Sequence, residues 1–402
     1  MTHTRVGSTE RARSGGAGFA GAGNRKGQGM GRKKYAVLAL ALVAVAASLW
    51  AGMGSAKAAP ATKKLDNVTL QLKWVTQAQF AGYYAAVKLG YYKDFGLNVK
   101  LRVGGPSITP EQVVASGQAQ IGVDWLPSLL AARDTGTKLV NIAQMFSKSG
   151  MLEIAWKSSG ITSIAAMRNK TVGVWCCGNQ FELFAALTKH GMDPTKNKGV
   201  KIFNQPFDMN AFLQGKIQAA AAMTYNELAQ VLETKNPKTG KLYTESELNI
   251  IPMQAQGTGM LEDGLFTTES WLASNRDVAT RFVAASDRGW IYCRDHVQQC
   301  TNIVLANGPT LGKGHQLWQM NEINKLIWPN RLGIGNMDPT AFKRTASTSL
   351  KYGGIKHPAT SAAYDAQISK AAITYLKGHV TGVDVNGANY KPIKVQIVAG
   401  GK

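Results

Sequence analysis

From Asn67 onward, short aliphatic runs alternate with segments whose apolar positions recur every three or four residues. Residues 68–74, 99–103, 120–123 and 139–144 read as strands, being short runs in which Val, Ile and Leu recur. Between them, 79–90 sets Phe80, Tyr84, Val87 and Tyr91 on one face of a helix. Residues 110–116 form a short helix with Thr109 as its cap, and 126–133 a third. Such a βαβαβ rhythm predicts a parallel or mixed α/β sheet with ligands at the carboxyl ends of its strands.

The rhythm then restarts. Residues 152–157 read as a strand at the crossing between the two units. Strands at 171–175, 200–203, 218–223 and 248–252 follow, with helices at 180–190, 209–213 and 225–233 among them. Asn236-Pro237-Lys238-Thr239-Gly240 is a surface turn. Beyond 265–268 the pattern becomes helical, at 276–294, 297–305, 314–328 and 339–352. The tail from Val380 reads as a hairpin turning at Asn386-Gly387. The prediction is two α/β lobes with a cleft between them and a helical C-terminal part. Residues 59–156 plus 256–402 would form the first lobe and 157–255 the second.

The chain's start has another character. Residues 1–29 are a low-complexity mixture of Gly, Ala, Ser and Arg. Arg32-Lys33-Lys34 then leads into an apolar run ending near Trp50, followed by small residues and Ala56-Lys57-Ala58. That order describes an export signal cleaved near Ala58, and the apolar run is shorter than the roughly 20 residues of a spanning helix. With no cysteine after the run, a soluble exported product is expected, periplasmic or extracellular. Residues 1–29 resemble no signal n-region, so translation is expected to begin at Met30 rather than Met1.

Composition trims the function classes. Of 402 residues, 46 are Lys or Arg and 24 Asp or Glu, for a net charge of +22. Residues 1–58 hold nine of those basic residues against Glu10 alone, and the rest are dispersed with no run of five. Nucleic-acid binding is therefore not expected. The six histidines are scattered without metal-ligand spacing, and no phosphate-loop, dinucleotide or nucleophile-elbow motif occurs, so no metal, cofactor or catalytic residue is assigned.

What remains is aromatic and amide chemistry at strand ends. Trp74, Asp124-Trp125 and Trp175 terminate predicted strands and Tyr225 follows one. Rigid π-faces there give a planar ligand contact area at little entropic cost. Gln77, Gln79, Gln144, Asn179, Asn226 and Glu227 would read the hydrogen-bonding edge of a heterocycle, and Tyr83 is expected to reach the same cleft. Phe80 and Tyr84 belong to the core. Cys176 and Cys177 read either as a cleft-lining pair, with Cys177 a ligand contact, or as two small buried residues; adjacent cysteines bridge only under strain, so no bond between them is expected.

Several of these segments resemble a known family: 74–84 (WVTQAQFAGYY), 90–92 (GYY), 96–99 (GLNV), 117–125 (GQAQIGVDW), 172–179 (VGVWCCGN), 222–227 (AMTYNE) and 289–292 (GWIY). They look like solute-binding proteins of bacterial ABC importers, in the branch related to thiamine-pyrimidine synthase. The resemblance implies a type II periplasmic-binding fold and a small heteroaromatic ligand, a thiamine-type pyrimidine precursor or riboflavin. It also implies an ABC permease and ATPase as partners, and a monomer is expected. It places a helix break near Asp295-His296, which with export implies a Cys293–Cys300 disulfide. Enzymes of the same branch hold iron near a cysteine-rich motif, where this chain has Cys176-Cys177. An enzyme of pyrimidine synthesis is thus the alternative, and an exported ligand sensor a third reading.

Overall fold

The computed structural model of the chain describes residues 64–176 and 178–400. The expected signal segment and start site therefore lie outside the described residues. Two five-stranded sheets organise the rest. The first contains β1 (Asp66–Gln71), β2 (Leu97–Arg102), β3 (Ile121–Trp125), β4 (Leu139–Gln144) and β10 (Asp263–Thr268) in the order β2-β1-β3-β10-β4. The second contains β5 (Met151–Trp156), β6 (Thr171–Val174), β7 (Lys201–Asn204), β8 (Ala219–Met223) and β9 (Leu248–Pro252) in the order β7-β6-β8-β5-β9.

The two sheets share one plan. In the first, β1 lies parallel to β2 and β3, while β10 runs antiparallel to β3 and β4. In the second, β6 lies parallel to β7 and β8, while β5 runs antiparallel to β8 and β9. Each antiparallel strand is the one the chain lays down on crossing from the other sheet. The crossings fall at 145–150 and 253–262. Because β5 belongs to the second sheet, the lobe boundary sits before Met151 rather than after residue 156. The sequence reading places residues 152–156 in the first lobe because a strand at a crossing carries no mark of the side it pairs on.

Strands covered on both faces read as unbroken apolar runs, and β3, β4 and β8 are buried throughout. Strand β8 (AAAAM) shows how far burial overrides propensity, since alanine prefers helix. The helix Ala81–Lys88 packs on the helix Arg276–Asp295 at a distance only glycine allows. A Cβ on Gly289 would lie 2.1 Å from the Gly82 carbonyl, and one on Gly82 would lie 2.3 Å from the Trp290 ring.

The helix break arrives as the resemblance implied. Arg276–Asp295 ends at His296, Val297–Asn307 follows, and Cys293 and Cys300 are bonded with Cα atoms 5.1 Å apart.

Three local expectations need correction. Thr109 precedes the helix Pro110–Ala115 without capping it through its side chain. Residues 380–400 contain no strand. The Asn386-Gly387 turn exists, with the Asp384 carboxylate accepting both backbone N–H groups at 3.0 and 2.9 Å. However, Ile334 N–H donates to Val385 O and Asn330 N–H to Asn386 O, so the tail pairs with a distant loop instead of itself. Finally, Ala366–His379 is a helix that the sequence reading passed over, although Ile368, Ala372 and Leu376 recur every fourth residue and all are buried.

Candidate functional site

The carboxyl ends of β1, β3, β6 and β8 converge between the sheets, and the aromatics that end or follow them line one cavity. Trp74, Trp125, Trp175 and Tyr225 supply ring surface, and Gln77, Gln79, Asn179, Asn226 and Glu227 supply polar edges; Lys73 and Met223 complete the lining. Its volume is about 40 Å³. It adjoins an outer chamber of about 240 Å³ that shares Lys73, Trp74, Trp175 and Asn179 and is walled by Asp124, Pro106, Ile108 and the 204–207 loop. The halves meet over it: Trp74 sets its edge on Phe207, ring centres 5.4 Å apart, and Ser128 Oγ donates to Gly178 O at 3.3 Å.

Each pocket group is held by a partner behind it. Gln77 Nε2 donates to Gln79 Oε1 at 2.6 Å, and Gln79 Nε2 donates to Asp263 Oδ2 at 2.9 Å. The Trp125 indole N–H also donates to Asp263, at 3.0 Å, so one buried carboxylate orients a ring and an amide. Lys73 is ion-paired to Asp124, with its ammonium 4.9 Å from the Trp125 ring centre. Trp175 donates its indole N–H to Pro206 O at 3.3 Å, and Asn179 its amide to Cys176 O at 3.0 Å.

On the opposite wall, Glu227 accepts from Met223 N–H at 3.0 Å and from Asn226 Nδ2 at 2.6 Å. Burial pushes its carboxyl up to about 7, against the pull of those donors and of His315. Burial does the same to Asp263, also to about 7, although Lys73, Gln79 and Trp125 hold it down. Burial raises the Tyr225 phenol too, reinforced by Glu262, Asp263, Glu227 and Glu182. These polar groups are buried, so each hydrogen bond they make carries more weight than it would at the surface.

Two expected contacts lie elsewhere. Tyr83 is 1% exposed and packs edge-on against Trp290 at 5.6 Å, because its helix turns that face toward the Arg276–Asp295 helix. Gln144 spends its amide on Phe146 O and Glu262 O, at 3.0 and 2.8 Å, tying β4 to β10. Asp124 reaches only the outer chamber, through its pair with Lys73. Cys177 lies outside the described residues. Cys176 lines the outer chamber and is disulfide-bonded, which corrects the expectation of an unbridged cysteine there.

The site also recruits residues the sequence reading missed. Lys73 adjoins Trp74 at the same strand end and was legible. Asp263 and Phe207 were not, since both come from segments more than a hundred residues away. Among the described residues, no group of three or more His, Cys, Asp or Glu is placed to hold a metal, and no helix is long and apolar enough to cross a membrane.

Two mixed α/β lobes, each with a strand returned from the other and a cleft at the parallel strand ends, define the periplasmic-binding-protein fold. The alkanesulfonate-binding protein SsuA of Xanthomonas axonopodis pv. citri has the same fold: TM-score 0.56 and 11% identity over 76% of this chain and 99% of that one. Residues 77–300 match the NMT1/THI5-like family, and the chain belongs to it. The riboflavin-binding protein RibY of Chloroflexus aurantiacus is 24% identical over 316 residues, spanning 76% of this chain and 86% of that one. A 4-amino-5-hydroxymethyl-2-methylpyrimidine phosphate synthase of Legionella pneumophila is 27% identical over 137 residues, 34% of this chain and 43% of that one.

Proposed function

We propose that this protein is an exported solute-binding component of an ABC importer, which closes its lobes on one small heteroaromatic nutrient and presents it to a membrane permease. The observation that carries the reading is the inner cavity, where three indoles and a phenol stand beside Gln77, Gln79, Asn226 and Glu227. Ring faces offer stacking area, while the amides and the carboxylate match the alternating donors and acceptors on a ring edge. Riboflavin or a thiamine-type pyrimidine precursor fits this chemistry, and relatives named as a riboflavin-binding protein and a formylaminopyrimidine-binding protein support it. The narrow inner cavity suits one ring edge and the wider outer chamber the remainder of the molecule. Recognition by the permease follows from shape, because only ligand-filled lobes hold the closed form.

Native mass spectrometry of the chain from Ala59, offered riboflavin and 4-amino-5-hydroxymethyl-2-methylpyrimidine, tests the reading. One bound molecule per chain is expected with one of the two. Binding of neither would overturn it. The synthase-like alternative rests on the Legionella relative and requires a cofactor chemistry. Turnover with bound iron and a pyridoxal phosphate absorbance in purified protein would establish it instead.

A further inference from the structure

Behind the pocket wall a buried hydrogen-bond chain ends on Glu227. His315, on the helix Lys313–Ile327, is 2% exposed and meets an oxygen at each ring nitrogen. Nδ1 lies 2.9 Å from Glu233 Oε2, and Nε2 lies 2.8 Å from Asn226 Oδ1. Asn226 in turn gives its Nδ2 to Glu227 Oε1 at 2.6 Å. All four side chains are more than nine-tenths buried. The adjacent residue Gln316 accepts from Ala78 N–H at 2.7 Å, between the pocket glutamines, so this one helix backs both walls.

An amide has two ends, and which end faces Glu227 decides what the carboxyl can do. An Asn226 carbonyl turned toward Glu227 would require a protonated acid there whose hydroxyl is spent on that carbonyl, so the pocket wall would lose the strong acceptor that a carboxylate provides. A donor at His315 Nε2 claims that carbonyl and turns the NH2 group to Glu227. The carboxylate's remaining lone pairs then face the cavity as acceptors.

Resting on the solute-binding reading above, we propose that His315, anchored by Glu233, is the positioning residue that selects ligands bearing a ring N–H or amino donor at the Glu227 wall. It touches no ligand and acts through Asn226. A ligand that presents only acceptors or a methylated nitrogen there is rejected, because its approach leaves buried groups unpaired.

The test compares His315→Phe, which removes both ring nitrogens, with His315→Gln, whose side-chain amide places a donor near the Nε2 position. Calorimetry measures riboflavin against N3-methylriboflavin, and 4-amino-5-hydroxymethyl-2-methylpyrimidine against its N4-dimethyl analogue. Circular dichroism checks each fold. For whichever parent binds, the unaltered protein is expected to prefer it by roughly tenfold or more, the scale of one buried hydrogen bond. His315→Phe should bring that preference below about threefold, and His315→Gln should restore most of it. Equal losses for parent and methylated ligand, with the preference intact, would overturn the proposal.

A second readout needs no ligand. Long-range ¹⁵N–¹H spectra of the free protein should show a hydrogen on His315 Nε2, and a bare Nε2 would refute the assignment. If neither parent binds, the functional reading fails while the spectra still decide the role of His315.

Discussion

Trp74 is the most direct test of how the pocket holds a ring. It is half-buried, follows β1, and meets Phe207 of the other lobe edge-on at 5.4 Å and 73°. Trp74→Ala would remove a face on which the ligand rests and also the contact across the cleft. An aromatic pair is worth about 0.5–1.5 kcal/mol beyond area. Covering roughly 60 Å² of ring at ~25 cal/mol per Å² adds about 1.5 kcal/mol. A loss of about 2–3 kcal/mol follows, or roughly 30- to 150-fold in Kd.

The fold should survive, because a half-exposed indole stabilises it by less than the ~3–5 kcal/mol of a buried one. Phe207→Ala separates the two contributions, since Phe207 is 50% exposed and its recorded aromatic partner is Trp74. It should weaken binding by less than about tenfold, the scale of the lost pair alone. Trp74→Phe, which keeps a ring, should fall between. Calorimetry with the ligand found by mass spectrometry gives the three constants. If Trp74→Ala binds within about threefold of the parent, no ring rests on Trp74. If Phe207→Ala loses as much as Trp74→Ala, the contact is a latch between lobes and the stacking argument fails.

Three further outcomes follow from the packing and the buried charges. Gly82→Ala forces a methyl into the Trp290 ring, so it should lower stability by about 1–3 kcal/mol in urea unfolding; an unchanged midpoint would show the helices can part freely. The carboxyls of Glu182, Glu227 and Asp263 are raised to about 8, 7 and 7, so the folded chain holds protons the unfolded chain releases above the usual carboxylate range. Stability should therefore be fully present below about pH 4 and decline as pH rises to about 8, with Glu182→Gln flattening the upper part; a melting temperature that rises over that span would reverse the sign. Replacing Cys293 and Cys300 by Ala opens a short loop and should cost about 2.5 kcal/mol on the chain-entropy estimate, and free thiols at both positions in unreduced peptide maps would refute the bond.

Much of this architecture was legible because strands buried on both faces are dominated by apolar residues. That dominance marks β3 and β4 in any surrounding, and it marked β8 despite four alanines. The aromatic half of the site was legible for a related reason: strand carboxyl ends face the cleft, so Trp74, Trp125 and Trp175 could be placed before any contact was known. Tyr83 went astray because helical phase allows a face to turn either way. The deciding partner, Trp290, arrives from a helix two hundred residues later. The tail failed differently. Its Asx turn is local chemistry and formed, but its pairing partner is a loop, and nothing near Asn386 encodes that.

The acids were the least legible part, and their placement joins the hinge to the pocket. Glu182, on the helix Phe181–Lys189, accepts from Ser149 Oγ at 2.7 Å in the first crossing and from Met260 N–H at 3.0 Å in the second. Glu262, in the second crossing, accepts from Gly150 N–H at 2.6 Å in the first. Two buried carboxyls therefore lace together the two segments that, among the described residues, carry the chain from one sheet to the other. The residue after Glu262 is Asp263, which orients Trp125 and Gln79 in the inner cavity. A change at the crossings is thus one peptide bond from the pocket floor. The charges reinforce the link, since Glu182, Glu262 and Asp263 all press on the Tyr225 phenol in the cavity wall. A carboxyl removed at the crossings is therefore expected to be felt at Asp263, and through it at Trp125 and Gln79.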